Sequence, residues 1–171
     1  MLDVIKNRFS PREYLNKEVE DEKIKEIVQS ALRAPSGKDL QQGIVVTITN
    51  KEVISKLSKL NASVMNAPEN YDPFYGAPVL MVVLHKVSPL ADLNGAAMIE
   101  NILLETVNQG LSARWINRAR EVFQTEYGKE LLNKLGLNSE EYVGVGNVVI
   151  GYSNALNPNH VIKENRAYYI K

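Results

Sequence analysis

A break between a helix and a strand, set by a proline, constrains this chain more than any other feature of its sequence. Residues 20–33 carry one apolar stripe at helical spacing and are predicted to form an amphipathic helix. Pro35 disfavours helical backbone at the residue before it, so the helix should end there. A run rich in Val, Ile and Thr at 43–49 is typical of a strand. The chain must therefore turn from helix to strand within residues 34–42.

The remaining apolar patterns predict an alternation of helices and strands. Further helices are predicted at 51–60 and 92–109, and as one or two helices around Gly128 within 119–135. Strands are predicted at 78–84, at 143–152 and, as a short terminal strand, at 167–170. The irregular stretches 61–76 and 153–166 are long for a compact domain and are expected to be functional loops. The alternation favours a single domain over residues 1–171 of the α/β or α+β class, with helices layered over a sheet.

The bulk composition excludes several classes of partner and site. Twenty basic residues balance twenty acidic ones among 171, so no net charge attracts nucleic acid or an anionic membrane. There is no cysteine, which excludes disulfides, thiolate metal sites and cysteine nucleophiles. No apolar run reaches the ~20 residues that span a bilayer, and the N-terminal residues do not resemble a signal peptide. We therefore expect a soluble, cytoplasmic protein.

The sequence contains no recognisable set of catalytic side chains. Its two histidines, His85 and His160, have no metal-ligand neighbours at helical spacing, so no metal site is predicted. Neither a serine-hydrolase nucleophile elbow nor a phosphate-binding P-loop occurs. The segment that begins at Gly144 starts like a dinucleotide-binding fingerprint, but it has valine in place of the third glycine. We interpret that segment as a buried strand.

The polar cluster nearest the N-terminus is a candidate binding site. Arg8 and Arg12 flank Ser10 in a segment that Pro11 keeps extended, where residues two apart point the same way. Two guanidiniums and a hydroxyl on one side suit a phosphate or a carbonyl-rich ring edge, because arginine offers planar, permanently charged donors. A charged surface strand explains the same spacing without any ligand.

Two weaker clusters lie elsewhere in the chain. The segment 35–41, called here the 35–41 loop, supplies backbone amides and the Ser36 hydroxyl just after a helix. An ordinary turn explains that loop about as well as a binding site does. Lys163 and Arg166 form a basic pair for which a solvated tail is the simpler interpretation.

The order of these segments along the chain resembles the nitroreductase family of FMN-dependent oxidoreductases. Arg-x-Ser-x-Arg precedes an amphipathic helix, and Ala-Pro-Ser-Gly-x-x-x-Gln then leads into a strand. Phe-Tyr-Gly-Ala-Pro-Val at 74–79 is similar to the start of the family's second strand, and 110–119 is similar to its Gly-Leu-Gly-Ser-Cys-Trp-Ile stretch. The C-terminal end of the family's pattern is matched by a Gly-Tyr pair at 151–152, a basic pair and a terminal Tyr-Tyr-Ile. The resemblance covers almost the whole chain, in the shorter branch of the family.

The resemblance implies a central, mostly antiparallel sheet flanked by helices, in an intertwined homodimer whose two FMN sites are each built from both subunits. From one subunit, the phosphate, ribityl and ring-edge contacts would be Arg8, Phe9, Ser10 and Arg12. From the other, the residues covering the flavin would be Pro35, Ser36, Gly37, Asp39 and Gln41. Asn70 matches an asparagine that bonds the pyrimidine edge, Lys163 and Arg166 would complete the phosphate site, and main chain from Trp115 to Arg118 would lie near flavin N5.

The same resemblance implies ping-pong hydride transfer, because a flavin supplies the chemistry and needs no catalytic side chain. NADH or NADPH would deliver hydride to flavin N5, and a small acceptor such as a nitroaromatic or a quinone would then take two electrons. The apolar helix at 92–109 suits the expected dimer core. The alternatives are a non-turnover flavin-binding protein for storage or sensing, a reductive dehalogenase or flavin-fragmenting enzyme on the same scaffold, and a structural dimer without cofactor.

Two residues depart from the family's pattern in ways that bear on substrate choice. The family often has asparagine at the position of Asp39. A carboxylate facing the flavin ring would disfavour an anionic reduced flavin and lower its potential. Arg114 replaces a small residue, so it could narrow the acceptor pocket, select an anionic acceptor or point to solvent. A further difference is Gln-Gly at 42–43, where the family often has Pro-Trp or similar.

Overall fold

The computed structural model describes residues 1 to 171 and contains one four-stranded sheet with helices on both faces. The helices are α1 (Asp3–Asn7), α2 (Asp21–Leu32), α3 (Lys51–Val64), α4 (Ala91–Asn108), α5 (Ala119–Gln124) and α6 (Glu126–Lys134). The strands are β1 (Gly43–Ile48), β2 (Val79–Lys86), β3 (Ser112–Ile116) and β4 (Tyr142–Gly151). Their order in the sheet is β1-β2-β4-β3, and all neighbours are antiparallel. The predicted α+β class with an antiparallel sheet is confirmed.

Strand β2 separates two apolar layers at the centre of the molecule. Every residue of β2 except Lys86 is buried. Alternate side chains beginning with Val79 pack with α2 and α4, and those beginning with Leu80 pack with α3, α5 and α6. A strand covered on both faces requires this alternation, in which successive side chains point to opposite faces. The predicted doubly covered strand is therefore confirmed.

Strand β4 contains a bulge at Val145. Val83 of β2 pairs with Gly146, but the next residue of β2 pairs with Gly144, so Val145 has no partner across the ladder. The extra residue turns Val145 toward the same side as Gly146, where both lie against α4. Helix α4 approaches the bulge at Gly95, and a Cβ added there would lie only 2.6 Å from Cγ2 of Val145.

Two helix boundaries differ from the sequence-based expectation. Helix α3 continues to Val64 instead of ending at residue 60, because Asn61 and Ala62 are buried in its last turn. Two helices do form within 119–135, but the chain breaks at Thr125 and not at Gly128. The Thr125 hydroxyl caps α6 by accepting the Gly128 N–H at 3.2 Å. That glycine packs directly against the α5 backbone, so it permits close approach of the two helices.

Three further differences concern short or terminal segments. Helix α1 and strand β3, each only five residues long, show no apolar period that predicts them from the sequence. The strand predicted at 167–170 is wrong, because residues 152–171 form neither helix nor strand. Residues 167–170 are exposed and pair with no strand of this chain. None of the helices combines the length and the apolar character required to cross a membrane.

Candidate functional site

The N-terminal segment at 8–12 lies beside β3, where Arg114 fixes it. Nη1 of Arg114 donates to the carbonyl of Ser10 at 2.8 Å and to that of Pro11 at 3.4 Å. The guanidinium also lies 5.2 Å from the ring centre of Tyr75, a cation–π contact. Arg114 thus ties the candidate phosphate-binding segment to the sheet. This contact is not among the three roles considered for Arg114 from the sequence.

The two arginines of this segment are free of carboxylate partners. Nη1 of Arg8 lies 3.5 Å from the Ser10 hydroxyl, and Arg12 makes no hydrogen bond or ion pair. Pro11 between them is buried, which anchors the backbone, while Arg8 is half-buried and Arg12 is exposed. The donors that a phosphate needs are therefore available on one short segment.

A groove of about 240 Å³ opens between β3 and the turn at 71–75. The Tyr71 and Tyr75 hydroxyls share a hydrogen bond of 3.0 Å, and their rings meet edge to face with centres 6.4 Å apart. That hydrogen bond raises the pKa of Tyr71, and burial raises it further. The groove has aromatic walls suited to a flat ligand. Its lining residues are Met65, Tyr71, Pro73, Tyr75 and residues 114–118.

Two buried asparagines hold the connection from β3 to α5. The carbonyl of Asn117 accepts from Nδ2 of Asn61 at 2.9 Å and from Nδ2 of Asn147 at 3.4 Å. The next residue, Arg118, has a left-handed backbone with φ of 78°. Sequence reasoning missed both asparagines. The available signal was that Asn61 continues the buried stripe of α3, where a polar residue needs a partner.

The 35–41 loop lies on the α2–α4 side of the sheet and has a strained backbone. Lys38, Asp39 and Gln41 are left-handed, with φ of 55°, 52° and 48°. The Ser36 carbonyl accepts the Asp39 N–H at 3.0 Å, and the Ser36 hydroxyl accepts the Gln41 N–H at 3.0 Å. The Asp39 carboxylate accepts from the Gln41 side chain at 2.9 Å. Several strained non-glycine residues close together point to a functional segment.

The other predicted residues lie in different places on the chain. Asn70 lines a second groove, of about 470 Å³, beside α3, and Tyr71 lines both this groove and the one at β3. Residues 152–171, which form neither helix nor strand, are called here the tail. Lys163 and Arg166 are exposed in this tail and form no ion pair. A single chain therefore brings the N-terminal segment, the β3 groove and Asn70 to one region. It leaves the 35–41 loop apart from them, whereas the start of the tail lies beside the N-terminal segment, with Nδ2 of Asn157 donating to the Asn7 carbonyl at 3.0 Å.

The chain is similar to known proteins over most of its length. Residues 5–152 match the family model described as the nitroreductase family. The chain belongs to this family. A relative from Methanothermobacter thermautotrophicus, named as a candidate NADH dehydrogenase/NAD(P)H nitroreductase, is 26% identical over 162 residues, which cover 89% of this chain and 76% of the relative.

Solved nitroreductase structures share the fold of this family member. A nitroreductase from Bacteroides fragilis with bound FMN superposes with a TM-score of 0.89 at 23% identity, over 99% of this chain and 97% of that chain. A nitroreductase from Desulfitobacterium hafniense, also with bound FMN, superposes with a TM-score of 0.87 at 23% identity, over the same shares of the two chains. The nitroreductase fold of this chain is thus confirmed by its architecture.

Proposed function

We propose that this nitroreductase family member is an FMN-dependent oxidoreductase that takes hydride from NADH or NADPH and reduces a small acceptor. The observation that carries the proposal is the pair of free arginines, Arg8 and Arg12, beside a groove with aromatic walls. Guanidiniums suit a phosphate, and aromatic walls suit flat rings such as isoalloxazine or nicotinamide. The FMN-bound B. fragilis and D. hafniense structures and the name of the M. thermautotrophicus relative support the cofactor and the donor.

The cofactor contacts are proposed residue by residue. The backbone and side chains of Arg8, Phe9, Ser10 and Arg12 would hold the phosphate and the ribityl chain, and Asn70 would bond the pyrimidine edge. Lys163 and Arg166 would complete the phosphate site. The absence of carboxylate partners for the four cations supports this assignment, because a paired cation would have to break an ion pair to bind phosphate.

A homodimer is part of the proposal, because one chain carries the predicted site in separate pieces. A second copy would bring its 35–41 loop, with Pro35, Ser36, Gly37, Asp39 and Gln41, over the flavin held by the first. Exposed apolar side chains in the tail support an interface, since such surface is costly in water. The largest of them are Leu156, Val161, Ile162, Tyr168, Tyr169 and Ile170.

The protein's own groups orient and shield the cofactor in this proposal. When bound, FMN would supply the hydride-accepting and electron-donating chemistry, so no pair of catalytic carboxylates is needed. Main chain at 115–118, fixed by Asn61 and Asn147, would face the N5 edge of the ring. The acceptor, such as a nitroaromatic or a quinone, would lie against Tyr71 and Trp115 after the oxidised nicotinamide has left. We place this activity in the cytoplasm.

The visible spectrum of the purified protein tests the proposal. We expect the absorption of oxidised flavin, its loss on anaerobic addition of NADH or NADPH, and its return on addition of a quinone. A bound flavin that saturating nicotinamide does not bleach would favour a non-turnover flavin-binding protein. Colourless protein that gains no thermal stability from added FMN would favour a structural dimer, because ligand binding to the folded state must raise stability.

A double substitution tests the phosphate site. Arg8→Ala with Arg12→Ala should abolish FMN retention and leave the fold intact, because Arg8 is only half-buried, Arg12 is exposed and neither forms an ion pair. Circular dichroism and flavin fluorescence after gel filtration measure the two effects. Lys25→Ala with Lys134→Ala removes the same charge from exposed positions on α2 and α6, and should retain the flavin. Full flavin occupancy in the arginine variant would refute the assignment.

A further inference from the structure

His85 is fully buried at the end of β2, and both of its ring nitrogens are engaged. Nδ1 lies 2.7 Å from the carbonyl oxygen of Lys86, and Nε2 lies 3.1 Å from Nδ2 of Asn94 on α4. A carbonyl oxygen can only accept, so the proton of the neutral ring must be on Nδ1. Nε2 then carries the lone pair and accepts from the Asn94 amide. The contacts therefore fix a single neutral tautomer.

Asn94 continues this order of hydrogen-bond donors and acceptors to the 35–41 loop. Because its Nδ2 faces His85, its Oδ1 faces the loop, where it accepts the backbone N–H of Gly37 at 3.2 Å. Each donor in the series meets an acceptor, so the amide has one favourable orientation. Two hydrogen bonds, from His85 to Asn94 and from Asn94 to Gly37, thus connect the central strand, through helix α4, to the start of the loop.

The connection ends just where the backbone becomes strained. Gly37 immediately precedes Lys38 and Asp39, both left-handed. A Cβ at Gly37 would lie 2.5 Å from Cδ1 of Leu90, so the loop backbone sits directly against the start of α4. The remaining hydrogen bonds of the loop run from one loop residue to another. They shape the loop, whereas the Asn94 bond joins it to the sheet and helices.

We propose that His85 and Asn94 are positioning residues that hold the 35–41 loop in its strained shape and thereby set how tightly the protein retains FMN. The inference about FMN rests on the proposed function, because the loop covers a flavin only if the protein binds one. Neither residue needs to touch the flavin. Their effect passes through the Gly37 amide, which must stay in place for Ser36, Asp39 and Gln41 to keep their positions.

The full-length Asn94→Leu variant tests, without any flavin, whether Asn94 holds the 35–41 loop in its shape. We expect faster amide hydrogen exchange across residues 36–41 in the apoprotein, and unchanged exchange in β2. With FMN added, its dissociation constant should rise about tenfold, the loss expected for one part-buried hydrogen bond. Asn108→Leu is the matched control: it lies on the same helix, is exposed, bonds only to Glu105 and should change neither quantity. Asn94→Ala, which adds no bulk, serves if the leucine variant fails to fold.

The tautomer of His85 can be measured by NMR, and a loss of side-chain packing alone would not change it. In a His160→Gln background His85 is the only histidine, and its ¹⁵N resonances should show a neutral ring protonated on Nδ1. Asn94→Asp replaces the amide donor by an acceptor, so Nε2 should lose the hydrogen bond that it accepts and its ¹⁵N resonance should move away from that of the parent. A ring protonated on Nε2 in the parent would overturn the proposal. So would loop exchange in Asn94→Leu equal to that in Asn108→Leu.

The two proposals fail in different ways. If the parent protein binds no FMN, the proposed function fails, while the exchange and tautomer results still test the network. If the parent binds FMN and Asn94→Leu binds it equally tightly, the proposed function stands and the inference about flavin retention is wrong.

Discussion

Tyr14 provides a pH-dependent contribution to stability at the scale of one residue. Burial against β4 raises the pKa of its phenol, Arg114 lowers it and Tyr75 raises it further, with burial the largest effect. Its hydroxyl has only one partner, the Val149 carbonyl at 3.4 Å. The folded protein therefore keeps Tyr14 neutral at a pH at which the unfolded chain ionises.

The sign of the pH effect follows from this difference. Above the ordinary tyrosine pKa of about 10, unfolding releases a proton, so the free energy of unfolding should fall by up to about 1.4 kcal/mol per pH unit. Urea unfolding between pH 9 and about 11.5 measures this slope. Tyr14→Phe should flatten it, whereas Tyr168→Phe, which removes an exposed phenol, should run parallel to the parent. Parallel curves for Tyr14→Phe and the parent would contradict this prediction.

The contact between α4 and β4 makes a prediction at the scale of elements. Alanine is the better helix former by about 1 kcal/mol, so Gly95→Ala would stabilise α4 if space were available. The added Cβ would lie 2.6 Å from Val145 Cγ2 and 2.8 Å from its Cβ, and a valine cannot swing these atoms away. We therefore expect Gly95→Ala to lower the free energy of unfolding by about 1–3 kcal/mol.

A double-mutant cycle tests the cause of this loss. Val145→Ala removes the two methyl groups at 2.6 and 2.7 Å but keeps Cβ at 2.8 Å, so the variant carrying Gly95→Ala and Val145→Ala should recover part of the loss and be more stable than the sum of the single effects predicts. Chemical denaturation of the four proteins gives the coupling free energy. If Gly95→Ala alone were as stable as the parent, the close approach of α4 to the bulge would not constrain this position.

The elements that the sequence predicts best are those with a regular apolar period. Helix α2 and strand β2 owe their form to side-chain spacings of 3.6 and 2 residues, which the chain displays locally. The last turn of α3 depends on Asn61 finding a carbonyl 56 residues away, and no local pattern shows that contact. Strand β3 is short and places Arg114 between apolar residues, because the arginine binds another segment.

The residues of the candidate site were proposed from the sequence, but their geometry was not. As a prediction, the choice of Arg8, Arg12 and the 35–41 loop followed from their polar side chains and spacing and from the resemblance to one family. The left-handed backbone at Lys38 and Gln41 could not be predicted from the sequence, because non-glycine residues rarely adopt it and no residue type signals it. His85 was judged from the sequence only as a possible metal ligand. Its value as a buried polar residue that needs a hydrogen-bond partner was not used.

The tail makes a prediction at the scale of the whole molecule. Tyr168, Tyr169 and Ile170 are each more than four-fifths exposed in the single chain. If they bury against a second copy, each should stabilise the dimer by about 1.5–3 kcal/mol. Replacing all three by serine should therefore weaken the dimer at least a hundredfold, as about 2.8 kcal/mol already corresponds to that factor. Sedimentation over a concentration series measures the dissociation constant.

A control separates tail contacts from a general loss of apolar surface. Leu135→Ser replaces an exposed apolar side chain at the end of α6, outside the tail, and should leave the dissociation constant unchanged. A parent protein that sediments as a monomer at every concentration would contradict the proposed dimer. Equal dissociation constants for the parent and the tail variant would leave the dimer standing but remove the tail from its interface.

The bulge at Val145 gives strand β4 one place where the length of the chain can change. Removing any other single residue from the middle of the strand would move the residues on one side of the deletion to the opposite face. Loss of the bulged residue would instead restore simple alternation, with Gly144 still toward α5 and Gly146 still toward α4. Deletion of Val145 should therefore be tolerated better than deletion of a neighbouring residue, since every other side chain of the strand would keep its face and only Val145 itself would be lost from the layer against α4.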